Sequence, residues 1–198
     1  MLKSAGRSYP VIPVDEIGIP GPHNLANSAA AVLAAKLAGV SIKHIGNSLR
    51  DFSGVEHRLE TVTEIDGVKY VNDSKGTNVD AMQMALRSVN SPIILIAGGK
   101  DKGGDFSVLR DEVKKKVKGM VLIGEAADKI DMQLSDVTRT HRVSSMKDAV
   151  EKAKTLSQNG DTVLLSPGCA SFDMFRDYEE RGRVFKEEVN RLKERMQS

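Results

Sequence analysis

The sequence has 198 residues, 40% hydrophobic and 28% charged, with 29 basic against 27 acidic residues and a net charge of +2. That composition fits one ordinary globular domain, or one domain plus a small attachment, and excludes a chain disordered throughout; the charge balance gives no ground for a nucleic-acid or membrane-surface partner. The single cysteine, Cys169, excludes an internal disulfide framework or cysteine-rich zinc site, 4% aromatics are too few for a base-stacking surface, and no apolar run nears the ~20 residues of a membrane span.

Met1 to Pro22 holds four of the six prolines and reads as an extended lead-in with at most one short strand, near Val11–Val14. It has no apolar core of a signal peptide, and with one free thiol this predicts a cytoplasmic location. A helix is expected over Leu25–Leu37, rich in alanine and stopped by Gly39; Ser41 caps a second through Ile45 and Leu49. Phe52-Ser53-Gly54 reads as a linker, which puts a boundary near residues 53–56. Leu59, Thr61 and Thr63 then alternate with polar positions, Asp66-Gly67 is a hairpin turn, and Val68–Val71 is the return strand.

From there strands and helices alternate. Helices are expected over Val79–Val89, Ser107–Val117, Ala126–Leu134 and Ser145–Leu156. Strands are expected at Ile93–Ala97, Met120–Ile123, Arg142–Val143 and Thr162–Leu165, and the chain closes with an amphipathic helix carrying Phe185, Val189 and Leu192. The unbroken apolar run at Ile93–Ala97 is that of a strand buried on both faces. The fold class is therefore α/β, a mostly parallel sheet with helices on both faces.

Ligands of such sheets bind at the carboxyl ends of the strands, and three polar loops fall there. Asn72–Asn78 offers Asp73, Lys75 and Thr77 to an anion, or is a solvated turn with Asp73 capping the next helix. Gly98–Asp105 has four glycines with Lys100 and Lys102, suited to close approach by a ligand or to a flexible loop; neither G-x-x-x-x-G-K-[ST] nor G-x-G-x-x-G occurs in the chain. Ser166–Asp173 precedes a helix and either holds an anion or has Ser171 as an N-cap, and Cys169 reads as a buried inert thiol rather than a nucleophile. Upstream, Asn24 and Asn27 could read a base edge or ribose, against helix capping by Asn24; Arg58, at the boundary, could reach a phosphate, against a surface pair with His57. No cluster has metal-ligand spacing.

Taken in order, Gly21-Pro22-His23-Asn24-Leu25-Ala26-Asn27, Glu56-His57-Arg58-Leu59-Glu60, Val71–Asn78, Gly98–Lys102 and Leu165–Asp173 with Phe175 and Arg181-Gly182 resemble the Mur ligases of peptidoglycan synthesis, in the branch that adds D-glutamate. The resemblance implies two domains: residues 1–55 as the helical end of the central ATPase domain, and residues 56–198 as the Rossmann-like, amino-acid-binding C-terminal domain. It implies ATP with Mg as cofactors and D-glutamate and UDP-N-acetylmuramoyl-L-alanine as substrates. By resemblance Thr77 and Lys102 hold the α-carboxylate of D-glutamate. Ser171, with the backbone of Phe172, holds the side-chain carboxylate, with Tyr178 nearby, where relatives often have phenylalanine. Asn24 and Asn27 contact the adenine end of ATP, Arg58 its phosphates, and Asp73 and Lys75 fix the nucleotide side. The Walker A loop, the carbamylated lysine, the magnesium carboxylate and the UDP-binding domain of the family are not among the 198 residues, so the chain is expected to be a truncated ligase, inactive alone. The alternative is a stand-alone, non-catalytic binding or interaction module. Self-association through the apolar face of the first helices is a further expectation.

Overall fold

A computed structural model describes residues 2–4, 7–19, 21–90 and 92–197, which fall into two units, Met1–Val55 and Glu56–Ser198. In the first unit, β1 (Leu2–Ser4) pairs antiparallel with β2 (Arg7–Tyr9), and a single 3-10 turn spans Val14–Glu16. The strand expected at Val11–Val14 does not form. Pro10 and Pro13 bracket that stretch, and neither has an N–H to give a neighbouring strand. Part of the extended lead-in, at Met1, Ala5, Gly6 and Pro20, lies outside the described residues.

Helix α1 runs Pro22–Leu37, three residues longer at its start than expected, because proline is at home in the first turn, where its missing N–H would find no partner. Gly21, at φ 107°, precedes it, so Asn24 lies inside the helix and is not its cap. Leu33 and Leu37 are exposed on α1. Helix α2 (Ile42–Asp51) begins as expected: the Ser41 side chain accepts the His44 N–H.

The second unit is a six-stranded sheet. A hairpin of β3 (Glu60–Ile65) and β4 (Val68–Asn72) turns at Asp66 (φ 50°) and Gly67 (φ 74°), the double left-handed backbone of a tight hairpin. There follow α3 (Val79–Ser88), β5 (Ile93–Gly98), a 3-10 turn at Phe106–Leu109 leading into α4 (Arg110–Lys116), β6 (Val117–Ile123), α5 (Ala127–Leu134), β7 (Arg139–Arg142), α6 (Met146–Leu156), β8 (Thr162–Leu165) and α7 (Tyr178–Gln197). The helix expected to reach Val117 stops before it, because Val117 already pairs with Ile93 as the first residue of β6. The strand expected at Arg142–Val143 ends there instead, drawn upstream by its parallel register from Gly119↔Arg139 to Leu122↔Arg142.

Strand order is β3-β4-β8-β5-β6-β7, parallel except for β3. Successive residues of β5 feed opposite cores. Ile93, Leu95 and Ala97 pack with Met82, Leu86, Phe106, Leu109 and Ile130, while Ile94 and Ile96 pack with Val150, Phe185 and Val189. Helices therefore cover both faces, and each fully buried aliphatic side chain contributes roughly 1.5–3 kcal/mol. β8, last in sequence, inserts between β4 and β5. The chain thus reverses direction across the sheet there, and the loops after β4, β5 and β8 meet at one edge. No helix among the described residues is long and apolar enough to cross a membrane.

Candidate functional site

The loop after β4 is built around Asp73. Its N–H donates to the Leu165 carbonyl (2.7 Å), and its carboxylate accepts from Ser166 Oγ (2.8 Å) and the Leu59 N–H (3.2 Å). Helix α3 takes its cap from Asn78, which accepts the Ala81 N–H, so Asp73 is not the capping residue. Burial pushes the Asp73 carboxyl up to about 6, against the pull of the Ser166 and Leu59 hydrogen bonds and of Arg58 and Arg181. A side chain on Gly76 would meet Asp73 Oδ2 at 2.6 Å, so only glycine lets the loop fold over that carboxylate.

The loop after β8 is tied to it. Gly168 N–H donates to the Gly76 carbonyl (2.9 Å), and Lys100 and Ala170 exchange backbone hydrogen bonds, which brings in the loop after β5. The main tie is Arg181 on α7, 2% exposed. Its Nε donates to Ser74 Oγ (2.9 Å) and Nη2 to the Ser74 carbonyl (2.8 Å), while Nη1 donates to the carbonyls of Cys169 (3.1 Å) and Ala170 (3.2 Å). Burial pulls its pKa down to about 10, which leaves it charged at neutral pH. Cys169 is buried, its thiol pushed up to about 12 by the same desolvation, and is unreactive as expected. Helix α7 begins at Tyr178, with Asp177 accepting the Glu180 N–H; Ser171, buried seven residues earlier, does not cap it.

Thr77 and Lys102 line one cleft of about 360 Å³, with Asn78, Gly103, Gly104 and Gly168. Asp101 shapes its floor by accepting the N–H groups of Gly103 (3.0 Å) and Gly104 (3.1 Å), and Lys129 anchors Asp101 (2.8 Å). The Phe172 side chain is 65% exposed at the rim of the loop after β8. Lys75 and Tyr178, assigned from sequence to different ligands, touch: Lys75 Nζ donates to the tyrosine hydroxyl (3.1 Å) and lies 4.8 Å from the ring centroid. Arg58 is exposed on the segment that docks on the Asp73 loop through Leu59 N–H and through the His57 carbonyl, which accepts the Lys75 N–H (3.0 Å). Among the described residues, Arg58, Lys75, Lys100 and Lys102 are in no salt bridge, which leaves each cation open to a carboxylate or phosphate, while Asp80, Asp101 and Asp105 line the same cleft as Lys102. Asn24 and Asn27 belong to α1 in the first unit; Asn27 is exposed and Asn24 half-buried.

Sequence reasoning gave no role to Arg181, Ser166, Asn72 or Glu60. The signal for Arg181 is its register: it stands four residues before Phe185 and eight before Val189, in the apolar stripe of α7. An arginine in such a stripe must be satisfied inside the fold. Among the described residues, Glu56, His57 and Glu60 group as metal ligands could, but Lys186 Nζ already bonds both glutamates at 3.0 and 2.6 Å. That ammonium fills the cation position, and the residues do not fit a Mg ion.

Residues 57–169 match the family described as Mur ligase, glutamate ligase domain. The chain is 50% identical over 189 residues to the UDP-N-acetylmuramoylalanine–D-glutamate ligase of Caldicellulosiruptor bescii, covering 94% of this chain and 41% of that protein. It is 46% identical over 194 residues to the enzyme of the same name from Alkaliphilus metalliredigens, covering 97% and 43%. It thus spans about two-fifths of the length of the curated relatives it matches. Among solved structures, the pseudomurein peptide ligase type C of Methanothermus fervidus aligns with a TM-score of 0.68 at 17% identity, covering 87% of this chain and 36% of that one. The MurF ligase of Thermotoga maritima, solved with ADP, aligns with a TM-score of 0.63 at 17% identity, covering 86% and 39%. The two structural likenesses establish the fold.

Proposed function

The chain belongs to the Mur ligase family, and on that premise we propose that it is the amino-acid-binding part of an ATP-dependent ligase that joins D-glutamate to UDP-N-acetylmuramoyl-L-alanine. The observation that carries this reading is that Thr77 and Lys102, from the loops after β4 and β5, line one cleft in a chain 50% identical to a D-glutamate ligase. In the proposed reaction ATP phosphorylates the alanyl carboxylate, the amine of D-glutamate attacks the acyl phosphate, and phosphate leaves.

The part of these residues is to hold two carboxylates so that the amine stays free and aimed. The Thr77 hydroxyl and Lys102 ammonium take the α-carboxylate in the cleft they share. Ser171 and the backbone N–H of Phe172 take the side-chain carboxylate, with Tyr178 beside them. Arg58 takes phosphate oxygens, and Asp73 with Lys75 fixes the nucleotide side. The Lys75–Tyr178 hydrogen bond links that side to the amino-acid side. For Asn24 and Asn27 the adenine contact rests on the resemblance alone. Residues 1–55 form the end of the ATPase domain, and residues 56–198 the C-terminal domain.

Calorimetric titration of the chain tests the reading. D-glutamate is expected to bind at millimolar affinity and L-glutamate at least about tenfold more weakly. Lys102→Ala and Ser171→Ala are each expected to weaken D-glutamate by about tenfold, the scale of one charge-assisted hydrogen bond. Equal binding of the two enantiomers, or unchanged affinity in both variants, removes the assignment. The 198 residues contain no G-x-x-x-x-G-K-[ST] loop to cradle the β- and γ-phosphates. No release of phosphate from ATP is therefore expected from this chain with both substrates; measurable turnover in a coupled phosphate assay would contradict that.

A further inference from the structure

The segment Glu56–Glu60 is built more elaborately than a connection needs. We propose that Glu60 is a positioning residue, which clamps His57 in its left-handed backbone next to Arg58 and so presents Arg58 beside the loop after β4 for contact with a polyphosphate. His57 has φ 65° and Leu59 φ 45°, a conformation that side-chain-bearing residues adopt only when held there. Arg58 stands between them.

The restraints come from both sides. Glu60 Oε2 accepts the His57 N–H (3.0 Å), and Asp73 accepts the Leu59 N–H (3.2 Å). The same Glu60 oxygen accepts from Asn72 Nδ2 (3.1 Å), which also bonds His57 Nδ1 (2.9 Å). Asn72 Oδ1 accepts the Ser74 N–H (3.1 Å), so the amide orientation is set: His57 Nδ1 is the acceptor, and its Nε2 carries the proton. The His57 ring is 3% exposed and lies flush on Gly182, where any Cβ would collide with it. Glu60 is itself held, with Oε1 bonded to Lys186 Nζ at 2.6 Å. One carboxylate thus links α7, β4 and the strained segment, while Arg58, the exposed residue in that segment, is left without a carboxylate partner among the described residues.

The proposal rests on the reading that Arg58 meets phosphate, and the test separates the two. The full chain is titrated with inorganic tripolyphosphate by calorimetry, and the mobility of the Arg58 amide and Nε is followed by nitrogen relaxation. Arg58→Ala is expected to weaken tripolyphosphate by about tenfold. Glu60→Ala should free Arg58 on the fast timescale and bring the affinity to the Arg58→Ala level. The double variant should be no weaker than Arg58→Ala, because the two act on one contact. Glu60→Gln, whose amide oxygen still accepts the His57 N–H but whose NH2 faces Lys186 Nζ, should bind more tightly than Glu60→Ala. Glu60→Ala binding like wild type, or a further loss in the double variant, overturns the positioning role while the phosphate reading stands. A wild-type chain that does not bind tripolyphosphate overturns both.

Discussion

Arg181→Ala is expected to lower the unfolding free energy by about 2–4 kcal/mol, from lost hydrogen bonds and the void left behind, a large part of the ~5–15 kcal/mol typical of a domain. The guanidinium is 2% exposed and satisfies Ser74 Oγ and the carbonyls of Ser74, Cys169 and Ala170. Its removal takes the guanidinium donors from Ser74 Oγ and from the Ser74 and Cys169 carbonyls, while the Ala170 carbonyl keeps the Lys100 N–H, and it opens a void beneath the loops after β4 and β8. Arg181→Met fills much of the void but supplies no donor, so it should recover only the packing share, about 1–2 kcal/mol. Arg181→Lys has a single donor centre and cannot span acceptors on two loops. Urea unfolding followed by circular dichroism measures all three. A loss below ~1 kcal/mol in Arg181→Ala would mean that the loops close without it. The functional consequence follows from the same bonds: Lys75 and Thr77 lie on one stapled loop and Ser171 on the other, so the distance between the two proposed carboxylate contacts is fixed by an arginine that touches neither ligand.

The sheet was legible because its signals are local. The apolar run Ile93–Ala97 needs no partner to be read as a doubly buried strand, and Asp66-Gly67 and Ser41 act within four residues of themselves. The misreadings share a different cause. Asp73, Asn78, Ser166 and Ser171 all look like cap or turn residues in sequence, and only the β4–β8 pairing decides that Asp73 is buried against Ser166 while Asn78 caps α3. Arg181 bonds Ser74 across 107 positions of chain, and no window of sequence contains both. The pairing of Leu2–Ser4 with Arg7–Tyr9 carries no alternation of apolar residues, so nothing local announced it. Motif positions such as Thr77 and Lys102 could be picked out without the fold, but their sharing of one cleft depends on the loops after β4 and β5 standing on either side of β8.

Asp73→Asn is expected to stabilise the chain at neutral pH and to impair whatever the carboxylate binds. Burial raises the Asp73 carboxyl from 3.8 to about 6, so the folded chain holds this proton more tightly than the unfolded chain does. Below pH ~4 both states are protonated and the group's contribution is full; as pH rises through about 6 the folded carboxyl ionises in a buried place and that contribution is lost. A difference of ~2 pKa units at ~1.4 kcal/mol each puts the penalty at about 3 kcal/mol above neutrality. Asparagine keeps an oxygen for the Leu59 N–H, and its amide can donate to Ser166 Oγ, so about 2 kcal/mol should be recovered at pH 7.5, or ~4–8 °C in melting temperature. At pH 4 the variant and wild type should melt together. Equal melting at both values would show that Asp73 ionises without penalty. Arg58 and Arg181 favour ionisation but leave the pKa raised, so the ionised carboxylate is held at a cost. That cost fits the nucleotide-side role proposed for Asp73, and the same substitution is expected to weaken that contact while making the protein harder to unfold.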